Sequence, residues 1–170
     1  PPGASGGSAS PGADGVLIYV CSSSHGFGHA ARDAAVLQQL RRLRPDWLLV
    51  MSSQINPGFL NLLLGDGAIE QRSCRWDVGM IQADALGSDP EATLVALADL
   101  ELTLPDQLLT EVNWIRAQER PVLVVGDIPP AAADLADALA APLVWLSNFG
   151  WDDIYRPFGG PFISHADQAL

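Results

Sequence analysis

Six residues hold most of the acid–base potential of this sequence: the run His25, Gly26, Phe27, Gly28 and His29, and far from it Asp127. A neutral imidazole takes a proton from an attacking hydroxyl, and a carboxylate on its other nitrogen fixes the tautomer and stabilises the imidazolium. His29 is the first candidate for that base, His25 the second, and Asp127 the candidate support. Gly26 and Gly28 leave backbone open, so a polyhydroxylated or phosphorylated group can approach closely. His29 also falls at the start of an expected helix, whose partial positive charge favours the neutral ring and opposes the effect of the carboxylate. Each residue has a plainer alternative: a histidine beside a glycine turn often only caps or bonds a helix, and an aspartate leaving a strand often caps the next one.

The elements around these residues are what must bring them together. Val16 to Ser22 is a short, nearly continuous apolar run that flows into the histidine-bearing loop, as a strand buried on both faces does. A helix follows, with Ala30, Ala34, Leu37 and Val36, Leu40, Leu43 at three- and four-residue spacing and Arg32, Gln38, Arg41 and Arg42 on the other side. Trp47 to Met51 reads as a second strand, Ala68 to Gln71 as a short third, Val122 to Val125 as a fourth that ends at Gly126 and Asp127, and Leu143 to Leu146 as a fifth. Leu97, Leu100, Leu104, Leu108, Val112 and Ile115 keep helical phase through Pro105, as one kinked helix or two in-phase helices. Pro130 suits the first turn of a helix carrying Ala132, Leu135, Ala136 and Leu139.

Strands alternating with helices of this length imply right-handed parallel crossovers, and hence an α/β domain with a three-layer, doubly wound, Rossmann-like parallel sheet over residues 16–170. Ligands of such sheets bind beyond the carboxyl ends of the strands, where the strand order reverses. An order of 3-2-1-4-5 makes the first and fourth strands neighbours and sets the loop with His29 beside Asp127.

Composition narrows the function classes. Residues 1–15, mostly Pro, Gly, Ser and Ala, bury too little apolar surface to offset the entropy of ordering and read as a disordered tail. The chain begins without Met and stops at Ala169 and Leu170 where a helix-like stretch has barely begun, so both ends read as cut. A net charge of -11 repels nucleic acid and anionic membrane. No apolar run reaches membrane-spanning length and no signal-peptide order opens the chain, so a cytoplasmic protein is expected. Cys21 and Cys74 belong to no CxxC pair or metal-ligand cluster, and no metal is expected. Gly26 to Ala31 also matches the GxGxxA dinucleotide fingerprint, but the acidic residue expected after the second strand is replaced by Met51-Ser52-Ser53-Gln54.

Five segments carry a further resemblance: HGFGHAARDAAVLQQLRR after the first strand, GMIQADAL from Gly79 to Leu86, TEVNWI from Thr110 to Ile115, VVGDIPPAAADLADAL from Val124 to Leu139, and SNFGWDDIY from Ser147 to Tyr155. In this order they resemble the glycosyltransferase-like amino-terminal region of plant-type L-arabinokinases and its stand-alone bacterial relatives. The glycine loop is also similar to the Gly-His turn of plant small-molecule glucosyltransferases and of the transferase that makes lipid-linked peptidoglycan precursor. The resemblance implies the amino-terminal half of a GT-B fold, in which this domain holds the acceptor and a carboxyl-terminal domain, missing here, holds most of a nucleotide-sugar donor. It implies no cofactor beyond that donor as co-substrate.

In the plant glucosyltransferases a histidine after the first strand is the base and an aspartate after a later strand supports it, a pattern that carries over to His29 and Asp127. The expected partners are a sugar donor and a hydroxyl-bearing acceptor, and the domain alone is expected to be inactive. In the segment after the fifth strand, Asn148 and Asp152 are candidates for bonding sugar hydroxyls, and Trp151 or Phe149 for covering a sugar ring. The plainer reading is that Phe149, Trp151 and Tyr155 pack a helix start capped by Asn148. Asp84 is a weaker candidate of the same kind. A different class stays open: a sugar- or metabolite-binding regulatory module that keeps the half-fold without transfer chemistry.

Overall fold

The computed structural model describes residues 15–65, 69–84 and 87–168. Its frame is a five-stranded, all-parallel sheet in the order β3-β2-β1-β4-β5. The strands are β1 Leu17–Ser22, β2 Leu48–Ser52, β3 Glu70–Arg72, β4 Val122–Asp127 and β5 Leu143–Trp145. The helices are α1 Phe27–Leu43, α2 Pro57–Leu64, α3 Pro90–Arg116, α4 Ala131–Leu139, α5 Trp151–Tyr155 and α6 Phe162–Gln168. The expected tail lies outside the described residues apart from Gly15, as do the first residue of the expected third strand, Ala68, and the final Ala169 and Leu170.

Alternation along β1 divides the core into layers, since successive strand side chains point to opposite faces. Leu17, Tyr19 and Cys21 pack with Val112, Ile115, Leu135 and Ala136 of α3 and α4. Ile18 and Val20 pack with Ala30, Ala34, Leu37, Leu60 and Leu64 of α1 and α2. β1 is buried along its whole length because it is central in the sheet and covered on both faces, which explains its unbroken apolar run. α3 is one continuous helix through Pro105, capped by the Asp89 side chain accepting from Ala92 N–H at 2.9 Å.

A third cluster closes the carboxyl-terminal edge of the sheet, where Met80, Leu97, Ile128, Trp151, Tyr155 and Phe162 are buried together. Gly126, the penultimate residue of β4, admits close packing: a Cβ there would lie 2.4 Å from the Trp145 ring and 2.9 Å from Ala132 Cβ. The central pair β1 and β4 aligns Ser22 with Asp127, and these two strand ends form the floor of the switch point.

Candidate functional site

α1 starts directly after the glycine turn. Gly26 is its cap residue at φ +87°, a left-handed conformation that suits glycine, and no side chain bonds the first turn. A Cβ at Gly26 or Gly28 would meet nothing within 4 Å, so the backbone of this loop is open to approach. His29 sits in the first turn of α1, and its Nδ1–H donates to Asp127 Oδ1 at 3.0 Å. The carboxylate accepts only, so this contact requires the proton on Nδ1 and leaves the lone pair on Nε2. Asp127 is 0% exposed and His29 13% exposed at the side chain, giving a buried carboxylate behind a partly open ring.

Asp127 therefore turns to the imidazole. The start of α4 has Pro130 at its cap position and no side-chain cap bond. The turn is helped by Ile128, which takes φ +65° while buried in the third cluster. A β-branched residue rarely adopts that conformation, and the packing around Ile128 holds it there. The hydrogen bond to Asp127 is the main reason the His29 pKa lies above its ordinary value; burial and the nearby Arg32 oppose that rise.

Arg32 departs from its expected place on the outer face of α1. Its guanidinium bonds Asp127 Oδ1, lies 3.4 Å from His29 Nδ1, and reaches Asn148 Oδ1 at 3.5 Å. Spacing explains the difference: Arg32 follows His29 by three residues, so both lie on one side of the helix and share the carboxylate. Asn148 is thus drawn to the dyad through Arg32 and does not cap α5, whose cap residue is Gly150, with its N–H donated to Asp153 at 3.3 Å.

An aromatic chain continues from His29. Its ring meets Phe149 edge-on at 6.1 Å, Phe149 meets Trp151 at 6.2 Å, and Trp151 meets His25 at 5.5 Å. Trp151 is buried, stacks on Tyr155 at 5.6 Å and donates Nε1–H to Asp77 at 2.9 Å. Phe27 is 63% exposed and packs on Phe59 at 4.4 Å. Asp152 lies half-buried in the first turn of α5, and Asp84 accepts from Gly87 N–H at 2.8 Å in an exposed turn. His25 is held against Gly79, where φ is +71° and a Cβ would lie 2.4 Å from the imidazole Nδ1. His25, His29, Asp127, Asn148 and Trp151 thus converge, whereas Phe27 belongs to the opening of α1 near α2.

Three residues of this region were not singled out in the sequence. Asp77, buried with Oδ1 unpartnered, has its pKa raised by burial, opposed by bonds from Ser23 and Trp151. It lines a cavity of about 360 Å³ together with Trp151, Tyr155, Glu101 and Asp134. Arg32 and Asp33 are the other two; Asp33 occupies the buried stripe of α1 with Ala30, Ala34 and Leu37. A carboxylate at a core position of an amphipathic helix is the signal that marks it in the sequence. Among the described residues no group of three His, Cys, Asp or Glu is arranged to hold a metal ion, and no helix is long and apolar enough to cross a membrane.

No family model matches the sequence. The L-arabinokinase of Arabidopsis thaliana is 30% identical over 145 residues, covering 84% of this chain and 14% of the kinase. A UGT transferase of Siraitia grosvenorii, solved in complex with UDP, matches with a TM-score of 0.52 and 16% identity over 76% of this chain and 27% of its own. A UGT of Arabidopsis thaliana complexed with UDP matches with a TM-score of 0.53 and 14% identity over 92% of this chain and 42% of its own. The sheet order, the helices on both faces and these matches agree: the fold of the chain is that of a Rossmann-like portion of GT-B glycosyltransferases, and its sequence is similar to a part of L-arabinokinase.

Proposed function

We propose that this chain is the acceptor-binding domain of an inverting glycosyltransferase in which His29 is the general base. The carrying observation is the 3.0 Å bond from His29 Nδ1–H to the buried Asp127, at the switch point of the sheet. In this reading an acceptor hydroxyl gives its proton to His29 Nε2, and its oxygen attacks the anomeric carbon of a nucleotide sugar. The bond from that carbon to the nucleoside diphosphate breaks, and the diphosphate leaves with the electron pair. Asp127 stabilises the imidazolium formed in the step. The donor belongs chiefly to a second domain facing this one, and UDP is the first nucleotide to try, because the matched UGT structures hold it.

The test is release of UDP from UDP-sugars in the presence of hydroxyl acceptors, using this domain together with its donor domain. A positioned general base contributes roughly 10²–10⁴-fold to such a step, so His29→Ala is expected to lose activity by about that factor. A variant that transfers sugar at the wild-type rate removes His29 from the mechanism.

The cavity beside Asp77 favours a second reading, a sugar- or metabolite-binding module. An aromatic wall with buried and rim carboxylates suits a neutral polyol. L-Arabinose is the natural first ligand for calorimetric titration, given the relative that shares this sequence. Binding that survives His29→Ala and is lost in Trp151→Ala supports the module, and no heat with any sugar tried removes it.

A further inference from the structure

The transfer step gives Arg32 no work, yet its guanidinium is bonded into the centre of the site. Arg32 follows His29 by three residues on α1, so the two side chains leave the helix on one side and meet the same carboxylate. Arg32 Nη2 donates to Asp127 Oδ1, the oxygen that also accepts the His29 Nδ1–H at 3.0 Å. Nη2 and Nδ1 lie 3.4 Å apart, and with Nδ1 protonated both are donors, so they compete for one oxygen and do not bond each other. On its other side Nη1 reaches Asn148 Oδ1 at 3.5 Å, which ties the guanidinium to the loop before α5.

Charge counting shows what the guanidinium changes. Asp127 and Arg32 together are neutral, so a second proton on His29 leaves a net positive charge around a fully buried carboxylate. Without Arg32 the same proton would complete a neutral imidazolium–carboxylate pair, and the ring would hold it more firmly. Two further acids face His29: Asp33 on its own helix and Asp77 from the segment after β3. Burial disfavours the charged form of both, pushing Asp33 up to about 7, so they weigh less on the ring than Asp127 does. Phe149 brings no charge to the ring edge, and the first turn of α1 itself disfavours an imidazolium.

We propose that Arg32 is a positioning residue for His29: it holds Asp127 Oδ1 in place and takes part of its charge, so that the imidazole carries one proton, on Nδ1, and keeps its Nε2 lone pair for a hydroxyl. A ring that held its second proton as firmly as Asp127 alone allows would be occupied before the acceptor arrived. This role rests on the reading of His29 as the base, but the ring itself reports it, in this chain and without any sugar.

The test is ¹⁵N NMR of the histidine ring nitrogens in the ¹⁵N-labelled chain from pH 5 to 9, in the wild type and in Arg32→Met. Removing the guanidinium is expected to raise the His29 midpoint by roughly one pH unit, the effect of one neighbouring charge. A folded Arg32→Met chain whose His29 midpoint is unchanged or lower overturns the role of Arg32 and leaves the transfer reading, which His29→Ala tests, standing. If Arg32→Met does not fold, the wild type decides. Its Arg32 guanidinium nitrogens are expected to move with the His29 midpoint, because the two groups share Oδ1, and guanidinium shifts that stay flat through that midpoint overturn the role as well.

Discussion

The glycines of the site differ in what they are needed for, and substitution separates them. Gly79 combines φ +71° with a Cβ position 2.4 Å from the His25 ring, whereas Gly28 has open space. Gly79→Ala is expected to destabilise the fold by more than about 1 kcal/mol and to push His25 away from Trp151. Gly28→Ala, inside α1, is expected to be neutral or to stabilise by up to roughly 1 kcal/mol. Urea denaturation of both variants checks this, and equal losses would show that the close approach at Gly79 carries no energetic weight. At this scale His29 and Asp127 were legible because a strand end and a glycine turn are readable features and the sheet order joins them. Asp33 shares the buried stripe of Ala30, Ala34 and Leu37 but adds nothing to its apolar period, so its place in the core is not legible from that period. Asn148 was weighed as a helix cap, but the cap falls at Gly150, and which polar residue ends a loop depends on packing that spacing does not record.

Among the elements, α3 tests how phase and backbone chemistry compete. Its apolar residues keep one face across Pro105, and the helix remains whole, so packing against the sheet outweighs the missing N–H. Pro105 is exposed and has no bond to give the Glu101 carbonyl. Pro105→Ala is therefore expected to raise stability by about 1–3 kcal/mol, read as a higher melting temperature. An unchanged or lower melting temperature would mean that the proline contributes as much by restricting the unfolded chain. The long strands β1 and β4 were clear from their apolar runs. β3 was not, because its three residues, Glu70–Arg72, are polar and partly exposed at the sheet edge. The apolar period of α1 runs from Ala30 to Leu43, with His29 at the expected start, and the helix itself begins at Phe27, because Phe27 and Gly28 carry no apolar period; Val36 and Leu43 of the expected stripe are exposed.

For the molecule as a whole, the buried acids set the direction in which pH acts. The folded chain holds the Asp33 proton up to about pH 7, whereas an unfolded aspartate releases it near 3.9. Across that window the folded state binds the extra proton, so stability falls as pH rises. His29, raised by its bond to Asp127, acts in the same sense: its contribution is complete below the unfolded value of about 6.5 and is lost as pH rises through the folded one. The urea midpoint is expected to fall between pH 5 and pH 8, and the slope to flatten in Asp33→Asn. A midpoint that rises over this range would contradict it. The parallel order β3-β2-β1-β4-β5, legible from the alternation of elements, also has a consequence in time. β1 pairs with β4, a partner about a hundred residues later in the chain. At roughly 5–20 residues per second, a growing polypeptide leaves that edge of β1 open for some 5–20 seconds. Through that interval the central, wholly buried strand of the sheet waits half-paired, and the nascent chain depends on whatever shields it until Asp127 arrives.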